Sequence, residues 1–369
     1  MRFLLKSLNN IRSILKKSLS LLVLRHFYNY QPNNVIIIAI GFSAWKKKFV
    51  RSYFKDSPVI FANHYILIRV VAKLLLNYKL KIVVWSFKDQ DNNIDLSAFD
   101  NLSIWRMEDG FIRSVGLGVD HVMPWSLCID SKGAHFDGST PSDLEDLINK
   151  FDCTKLSSEQ KQDASRLLSK LQDFGICKYN IIAQPHYYSN REVDGTGILV
   201  LGQVENDQSI LRNPSVISTN AELLERAIAD HPDTEIYFKQ HPDCLSNRGR
   251  PGYVDVNAYS GVKEVPISVS IANAICNANE VYTISSLGGF EALLKGKRVT
   301  TFGAPFYAGW GLTNDQMNFS RRMKTLTIEE LLYIAYVEYA TYFNPISGDR
   351  LTVHQVVDII IEHQQNQIN

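Results

Sequence analysis

The chain has 369 residues, of which 45% are hydrophobic and 11% aromatic, and this composition excludes a disordered protein. At about 150 residues per domain, the length predicts two domains with a cleft between them. Basic and acidic residues number 39 and 38, which excludes a uniformly polycationic protein that coats nucleic acid.

The start of the chain is strongly basic, because the first 55 residues contain many Lys and Arg residues but no Asp or Glu. Within residues 1–30, Leu and Ile recur at helical spacing with basic side chains opposite them, which predicts a basic amphipathic helix. Its uninterrupted apolar runs are far shorter than the ~20 residues that span a membrane. The helix would lie on an anionic bilayer or dock on the protein's own surface, and both alternatives stay open.

Residues 31–155 predict a first Rossmann-like domain. Continuous apolar runs at 35–41, 59–62 and 81–86 predict strands, and an apolar stretch over 64–78 predicts a helix before the last of them. Short apolar strands that alternate with helices indicate a parallel sheet that is buried on both faces. Residues 156–180 change to Glu, Lys, Gln, Ser and Leu at helical spacing, which predicts a connecting helix.

Residues 181–345 predict a second Rossmann-like domain, and residues 346–369 a C-terminal helix. The predicted strands of this domain are 198–202, 235–239, 281–284 and 298–302. Helices are predicted over 220–229, before Asn277, and over 287–295, 327–342 and 353–364. Two such α/β domains that face each other across a cleft form the GT-B arrangement of glycosyltransferases, although this layout alone does not establish a function.

Two adjacent carboxylates, Glu108 and Asp109, follow a predicted strand over 102–105. The carboxyl ends of strands are where α/β sheets bind ligands. One carboxylate could attack or protonate a sugar, while Arg106 or Arg113 stabilises its charge or binds an anionic substrate. The alternative is a salt-bridged loop without a catalytic role.

Lys239, His241 and Pro242 follow the strand 235–239 directly. A cation and a histidine at the end of a strand suit a phosphate ligand. A His-Pro pair is weak evidence by itself, because the same three residues His-Pro-Asp also occur at 231–233, in what we interpret as an ordinary loop.

Ser285 and Ser286 stand between a strand and a helix whose first turn contains Gly288 and Gly289. Free N–H groups, hydroxyls and the positive helix end form an anion site, so we predict that a phosphate binds there. The alternative is plain N-capping, which does not account for two glycines in a helix. Gln203 and Glu205 follow the strand 198–202 and could orient substrate hydroxyls or supply a second acid.

Five motifs in register resemble the capsular polysaccharide β-Kdo transferases of the KpsC type. They are EDGFIRSVGLG at 108–118, LGQVENDQSI at 201–210, KQHPD at 239–243, SSLGGFEALL at 285–294 and FYAGWGLT at 306–313. The resemblance covers one module, whereas KpsC-type proteins usually carry two in tandem.

The resemblance implies transfer of 3-deoxy-D-manno-oct-2-ulosonic acid (Kdo) from CMP-Kdo, with retention of configuration, to a lipid-linked oligosaccharide. It makes Asp109 the nucleophile and Glu108 its partner. Substrate would be bound by Arg113, Gln203 and Glu205. The nucleotide and its phosphate would be bound by Lys239, His241, Pro242, Ser285, Ser286, Gly288 and Glu291.

The expected partners are the CMP-Kdo donor, the lipid-linked Kdo acceptor, the inner-membrane surface and other capsule assembly proteins, with no nucleic acid. No tightly bound cofactor and no protein-bound metal are expected, and any Mg²⁺ would come with the donor. Scattered cysteines and the basic N-terminal segment predict a cytoplasmic protein at the inner face of the membrane. The alternatives are a transferase for another CMP-activated nonulosonic acid and a non-catalytic capsule assembly or export protein.

Overall fold

The computed structural model describes residues 35–368, except 76, 100, 101, 117, 153, 155, 181–196 and 246–248. The predicted amphipathic helix at 1–30 lies outside the described residues. The chain divides into two compact units. The first comprises the residues up to Glu108 together with Asn344–Asp349, and the second comprises Asp109–Phe343 together with Arg350–Asn369.

The first unit contains a parallel sheet of four strands in the order β2-β1-β3-β4. The strands are β1 (Val35–Ile40), β2 (Val59–Phe61), β3 (Lys79–Trp85) and β4 (Ser103–Asp109). The helices are α1 (Lys46–Tyr53), α2 (Tyr65–Leu74) and α3 (Lys88–Asp91). Apolar residues of β1, β3 and α2 form the core of this unit, as the alternation of strands and helices predicts.

Strand β4 is longer than the sequence predicts. It pairs in register with β3 as far as Trp85 and Met107, and the Ser86 N–H continues the pairing by donating to the Met107 carbonyl. Glu108 and Asp109 are therefore the last two residues of the strand, and not the start of a loop after it.

The second unit contains a parallel sheet of six strands in the order β11-β10-β9-β6-β7-β8. These strands are β6 (Gly197–Leu201), β7 (Ile236–Lys239), β8 (Val262–Glu264), β9 (Ala278–Thr283), β10 (Arg298–Thr301) and β11 (Asn314–Asp315). In chain order this arrangement is 3-2-1-4-5-6, the strand order of the Rossmann fold.

The remaining strands of this unit are β5 (Ser126–Asp130), β12 (Thr341–Phe343) and β13 (Arg350–Leu351), which pair antiparallel through β12. The helices are α4 (Asp143–Lys150), α5 (Ser158–Asp173), α6 (Gln208–Leu211), α7 (Asn220–Asp230), α8 (Ile271–Cys276), α9 (Leu287–Leu294), α10 (Ile328–Leu332) and α11 (Val353–Ile368). The helix predicted over 327–342 is shorter than expected. It becomes a π-helical turn at Tyr333–Tyr339, and Tyr342 belongs to β12, where it pairs with Ser126.

The division between the two units does not follow the predicted boundary at residue 155. Phe111, Cys128, Ile148 and Leu167 belong to the same apolar core as Val281 of the six-stranded sheet. The segment from 109 to 176 therefore packs with the second unit because its apolar side chains are buried there.

Candidate functional site

The six-stranded sheet has a switch point between β6 and β9, the position at which α/β sheets bind ligands. Gln203, just after β6, joins the two strand ends. Its Oε1 accepts from the Ser285 N–H at 2.8 Å, and its Nε2 donates to the Ser285 hydroxyl at 3.2 Å. Gln203 thus positions the loop after β9.

A cavity of about 210 Å³ opens beside this switch point, entirely within the second unit. Six of the residues predicted to bind the nucleotide line it: Lys239, His241, Pro242, Ser286, Gly288 and Glu291. Sequence reasoning missed further lining residues, which include Gly118, Cys177, Lys178, Tyr179, the loop residues 267–270 and Ile271 at the start of α8. Residues 177–179 fall within the predicted connecting helix, and no local motif marks them as part of a site.

Lys239 and His241 both lie on the wall of the cavity, and burial lowers the pKa of each side chain. The Lys239 ammonium donates to the carbonyls of Val269 at 2.7 Å and Pro266 at 3.4 Å, and burial lowers its pKa to about 8. Burial also lowers the pKa of His241, although Asp243 and Asp207 oppose the shift. His241 Nδ1 accepts from the Asp243 N–H at 3.1 Å, so the neutral ring carries its proton on Nε2.

The N-terminus of α9 contributes Ser286, whose Oγ caps the helix by accepting from the Gly288 N–H at 3.1 Å. The hydroxyl hydrogen of Ser286 can still donate toward the cavity. Ser285 does not line the cavity, because its hydroxyl donates to the Ser209 carbonyl at 2.8 Å. Of the two predicted serines, only Ser286 is placed to meet a ligand there.

The two glycines of α9 are explained by protein contacts. A Cβ atom on Gly289 would lie 2.2 Å from the Tyr307 hydroxyl, and one on Gly288 would lie 2.6 Å from Ile271 Cδ1. Close packing of the helix against these side chains requires small residues. The glycines therefore do not by themselves indicate a phosphate, although Gly288 lines the cavity.

Glu291 places a buried carboxyl group on the cavity wall. Desolvation raises the pKa of Glu291 to about 7, while the Lys178 N–H, which donates to its Oε1 at 2.9 Å, opposes the shift. A carboxyl group with its pKa near neutrality is unusual outside functional sites.

Asp109 is held by Arg113. Its Oδ2 lies 2.9 Å from Nε of the fully buried Arg113, and the Asp109 side chain remains 15% exposed. Neither residue lines the cavity, but two connections link them to it. The Arg113 N–H donates to the Lys178 carbonyl at 2.9 Å, and a Cβ atom on Gly118 would lie only 3.0 Å from the Arg113 Cζ. Lys178 and Gly118 both line the cavity.

Two other predicted residues lie elsewhere. Glu205 accepts from the Asn220 N–H at 2.8 Å at the start of α7 and does not line the cavity. Glu108 is half-buried, is the last residue of the first unit and does not line the cavity either.

Comparison with known proteins identifies the family. A family model described as "Capsule polysaccharide biosynthesis protein" matches residues 81–191 and 180–351, which is more than half of the chain. The chain belongs to this family. Among curated relatives, the lipopolysaccharide-processing protein LpsZ of Rhizobium meliloti is 32% identical over 89% of this chain and 74% of its own length.

A second family relative is the capsule polysaccharide modification protein LipA of Neisseria meningitidis serogroup B, at 31% identity over 90% of this chain. The chain spans 46% of the length of LipA. Among solved structures, the KpsC β-Kdo 2,4 transferase of Thermosulfurimonas dismutans matches with a TM-score of 0.75 and 28% identity, over 90% of this chain and 99% of that one. The β-Kdo 2,7 transferase of the same organism matches with a TM-score of 0.71 and 28% identity, over 89% and 99%. The predicted resemblance to KpsC-type proteins is confirmed.

No helix in the described part of this family member combines the length and apolar character that a membrane span requires. Among the same described residues, no group of three or more His, Cys, Asp or Glu side chains is arranged to hold a metal ion.

Proposed function

We propose that the protein transfers Kdo from CMP-Kdo, with retention of configuration, to a lipid-linked oligosaccharide acceptor in capsule polysaccharide biosynthesis. One arrangement in the second unit carries this proposal. The segment that follows Asp109 is hydrogen-bonded to the wall of a cavity that also contains Lys239, His241 and the N-terminus of α9. The similarity to two KpsC β-Kdo transferases supports Kdo as the sugar.

The cavity suits the CMP part of the donor. Two of the three Lys239 N–H donors are used by carbonyls, so the third would bind the phosphate together with Nε2–H of His241 and the Ser286 hydroxyl. The positive end of the α9 dipole would stabilise the same anion. A buried carboxylate repels phosphate, so we assign Glu291 to the hydroxyls of the nucleoside.

The proposed reaction proceeds in two displacements. In the first, an oxygen of Asp109 forms a bond to the anomeric carbon of Kdo while the bond to the CMP phosphate breaks, and the electron pair leaves with CMP. In the second, the acceptor hydroxyl attacks the same carbon and gives its proton to solvent while the bond to Asp109 breaks, which gives net retention. Arg113 holds the attacking Asp109 carboxylate in place. We propose Glu108 as the partner of Asp109 in the transfer.

We propose no tightly bound cofactor, and any Mg²⁺ would arrive with the donor. We further propose that the protein acts at the inner face of the cytoplasmic membrane with other capsule assembly proteins. Incubating the full chain with CMP-Kdo and a synthetic Kdo-terminated lipid tests the proposed transfer. Product mass should increase by one or more Kdo residues, with the new linkage in the β configuration, and an α linkage would contradict retention.

Lys239 gives the donor site a predicted pH dependence. Because its pKa is about 8, the ammonium loses its proton between pH 7 and pH 9, and CMP affinity should fall over this range. The variant Lys239→Met should bind CMP about tenfold more weakly at pH 7 and show little further loss up to pH 9. Calorimetric titration at pH 7, 8 and 9 measures both effects.

Lys263→Met is the matched control, because Lys263 is an exposed lysine on the neighbouring strand β8, where it pairs with Glu235. The control should bind CMP as the unmodified protein does at each pH. Equal CMP affinity in Lys239→Met and the unmodified protein would remove Lys239 from the donor site.

A second candidate is a transferase that uses another CMP-activated nonulosonic acid. It is favoured by one feature of the cavity, since we assign its lining residues to the nucleotide and the phosphate and none of them to the sugar. A panel of CMP-Kdo and CMP-N-acetylneuraminic acid separates the two. A non-catalytic assembly protein would instead hydrolyse neither donor and show no thermal shift with CMP.

A further inference from the structure

The sheet of the first unit carries a basic cluster that the proposed reaction does not use. Helix α1 is separated from β1 by five residues. It contains Lys46, Lys47, Lys48 and Arg51, which we name the α1 cluster. Because β1 leads into α1, the start of this helix lies at the carboxyl edge of the sheet. Parallel sheets bind ligands at this edge.

Aromatic side chains at the strand ends hold these cations in place. Lys46 Nζ lies 3.1 Å from the ring centroid of Trp85, the last residue of β3. Lys47 Nζ and Arg51 Cζ lie 5.4 Å and 5.0 Å from the ring of Phe61, the last residue of β2. These cation–π contacts position the charges without neutralising them.

Three of the four cations in the cluster have no carboxylate partner within the described residues. Lys47, Lys48 and Arg51 form no salt bridge within the described residues, and residues 1–55 contain no acid. Other cations of the same unit do have partners, since Lys55 pairs with Asp349 at 2.6 Å and Lys88 pairs with Asp91 at 2.8 Å. Positive charge is therefore concentrated at α1.

Ser86 provides a second, independent sign of a ligand. It directly follows Trp85, its side chain is buried, and its Oγ has no hydrogen-bond partner among the described residues. Its φ of +50° is a conformation that residues other than glycine rarely adopt. A strained backbone and an unsatisfied buried hydroxyl both destabilise the protein, and such features are typical of ligand sites.

We infer that the α1 cluster and Ser86 bind the carboxylate groups of an acidic oligosaccharide. That this oligosaccharide is the acceptor of the transfer rests on the proposed function, whereas the binding does not. A sugar carboxylate suits both features, because it pairs with Lys and Arg side chains and can accept a hydrogen bond from a serine hydroxyl.

The test uses the full chain and a fluorescent glycoside of a Kdo disaccharide, followed by fluorescence anisotropy. The triple variant Lys47→Ala/Lys48→Ala/Arg51→Ala should bind this probe about 30-fold more weakly, because several charge-assisted contacts are lost. The matched control Arg69→Ala/Lys73→Ala/Lys79→Ala removes the same charge from exposed positions of the same unit and should bind within about twofold of the unmodified protein. Equal losses in both variants would refute a specific site.

Ser86→Ala separates a binding role from a structural one. Removing an unsatisfied buried hydroxyl should raise the melting temperature, while affinity for the probe falls about tenfold. Unchanged affinity would exclude Ser86 from the site. Loss of binding to phosphatidylglycerol vesicles in the triple variant, with probe binding intact, would assign the α1 cluster to the membrane and overturn the inference.

Failure of the oligosaccharide site can be distinguished from failure of the proposed function. CMP binding and transfer from CMP-Kdo are measured on the same preparations. Suppose that the unmodified protein binds the probe but neither binds CMP nor transfers Kdo, and that the triple variant loses the probe. The oligosaccharide site then stands and the transferase proposal falls. If transfer occurs and the triple variant binds the probe normally, the transferase proposal stands and the oligosaccharide site falls.

Discussion

Replacing Asp109 with asparagine is expected to lower Kdo transfer from CMP-Kdo by about 10,000-fold, while CMP affinity stays within about twofold. The reason is that the amide cannot form the bond to the anomeric carbon, whereas the cavity proposed for CMP does not include this side chain. Its amide oxygen would occupy the position of Asp109 Oδ2, which lies 2.9 Å from Arg113 Nε. Transfer rates and calorimetric CMP titrations give the two quantities.

The control for this variant must allow for the loss of an ion pair to a buried arginine. Asp89→Asn supplies it, because Asp89 pairs with Arg106 at 2.9 Å in the first unit and both side chains are largely buried. Removing one partner of a buried pair costs about 3–5 kcal/mol, so both variants should melt at lower temperature. Only Asp109→Asn should abolish transfer, and residual transfer above about one per cent would remove Asp109 as the nucleophile.

The main helices and strands of the described chain follow from the sequence because their periodicity is strong. The predicted strand at 35–41 is β1, and the predicted helix at 220–229 is α7 with one added residue. The sequence does not predict β5, which has five residues, or the strands β8, β11, β12 and β13, which have two or three residues each. Such strands exist because a neighbouring strand offers hydrogen-bonding groups, and no local pattern reveals that.

The two His-Pro-Asp segments show how far local sequence can locate a site. His241 follows β7 at the carboxyl edge of the sheet and lines the cavity, as predicted. His231 ends α7, and its Nε2 lies 3.0 Å from the Tyr282 hydroxyl. Position relative to a strand end distinguishes the two segments, whereas the residue types alone do not.

The roles of Gln203 and Lys178 cannot be deduced in the same way. The sequence predicts that Gln203 touches substrate, yet its amide is used to join the ends of β6 and β9. Lys178 lies 113 residues from Glu291 in the chain, and only folding brings its N–H to that carboxylate. Contacts of such long separation depend on tertiary structure, which a single sequence does not report.

Glu291→Gln is expected to increase the stability of the protein at pH 8 and to leave it nearly unchanged at acidic pH. The pKa of Glu291 is about 7 in the folded protein, against an ordinary value of 4.5. Between these two values the folded state binds more protons than the unfolded state, so the free energy of unfolding falls as pH rises from about 4.5 to about 7. Above pH 7 the ionised Glu291 carboxylate lowers the free energy of unfolding by the full amount, which is about 3 kcal/mol.

The glutamine variant keeps an oxygen that can accept from the Lys178 N–H but does not titrate, so its stability should lack this dependence. Urea unfolding at pH 5, 6, 7 and 8 should show its advantage growing with pH. Glu222→Gln is a control of opposite sign, because hydrogen bonds from Ser218 and Thr219 lower the pKa of Glu222 at the start of α7. That variant should lose stability above pH 4.5. If Glu291→Gln is instead less stable at every pH, the Glu291 carboxylate is ionised in the fold and supports the Lys178 segment as an anion.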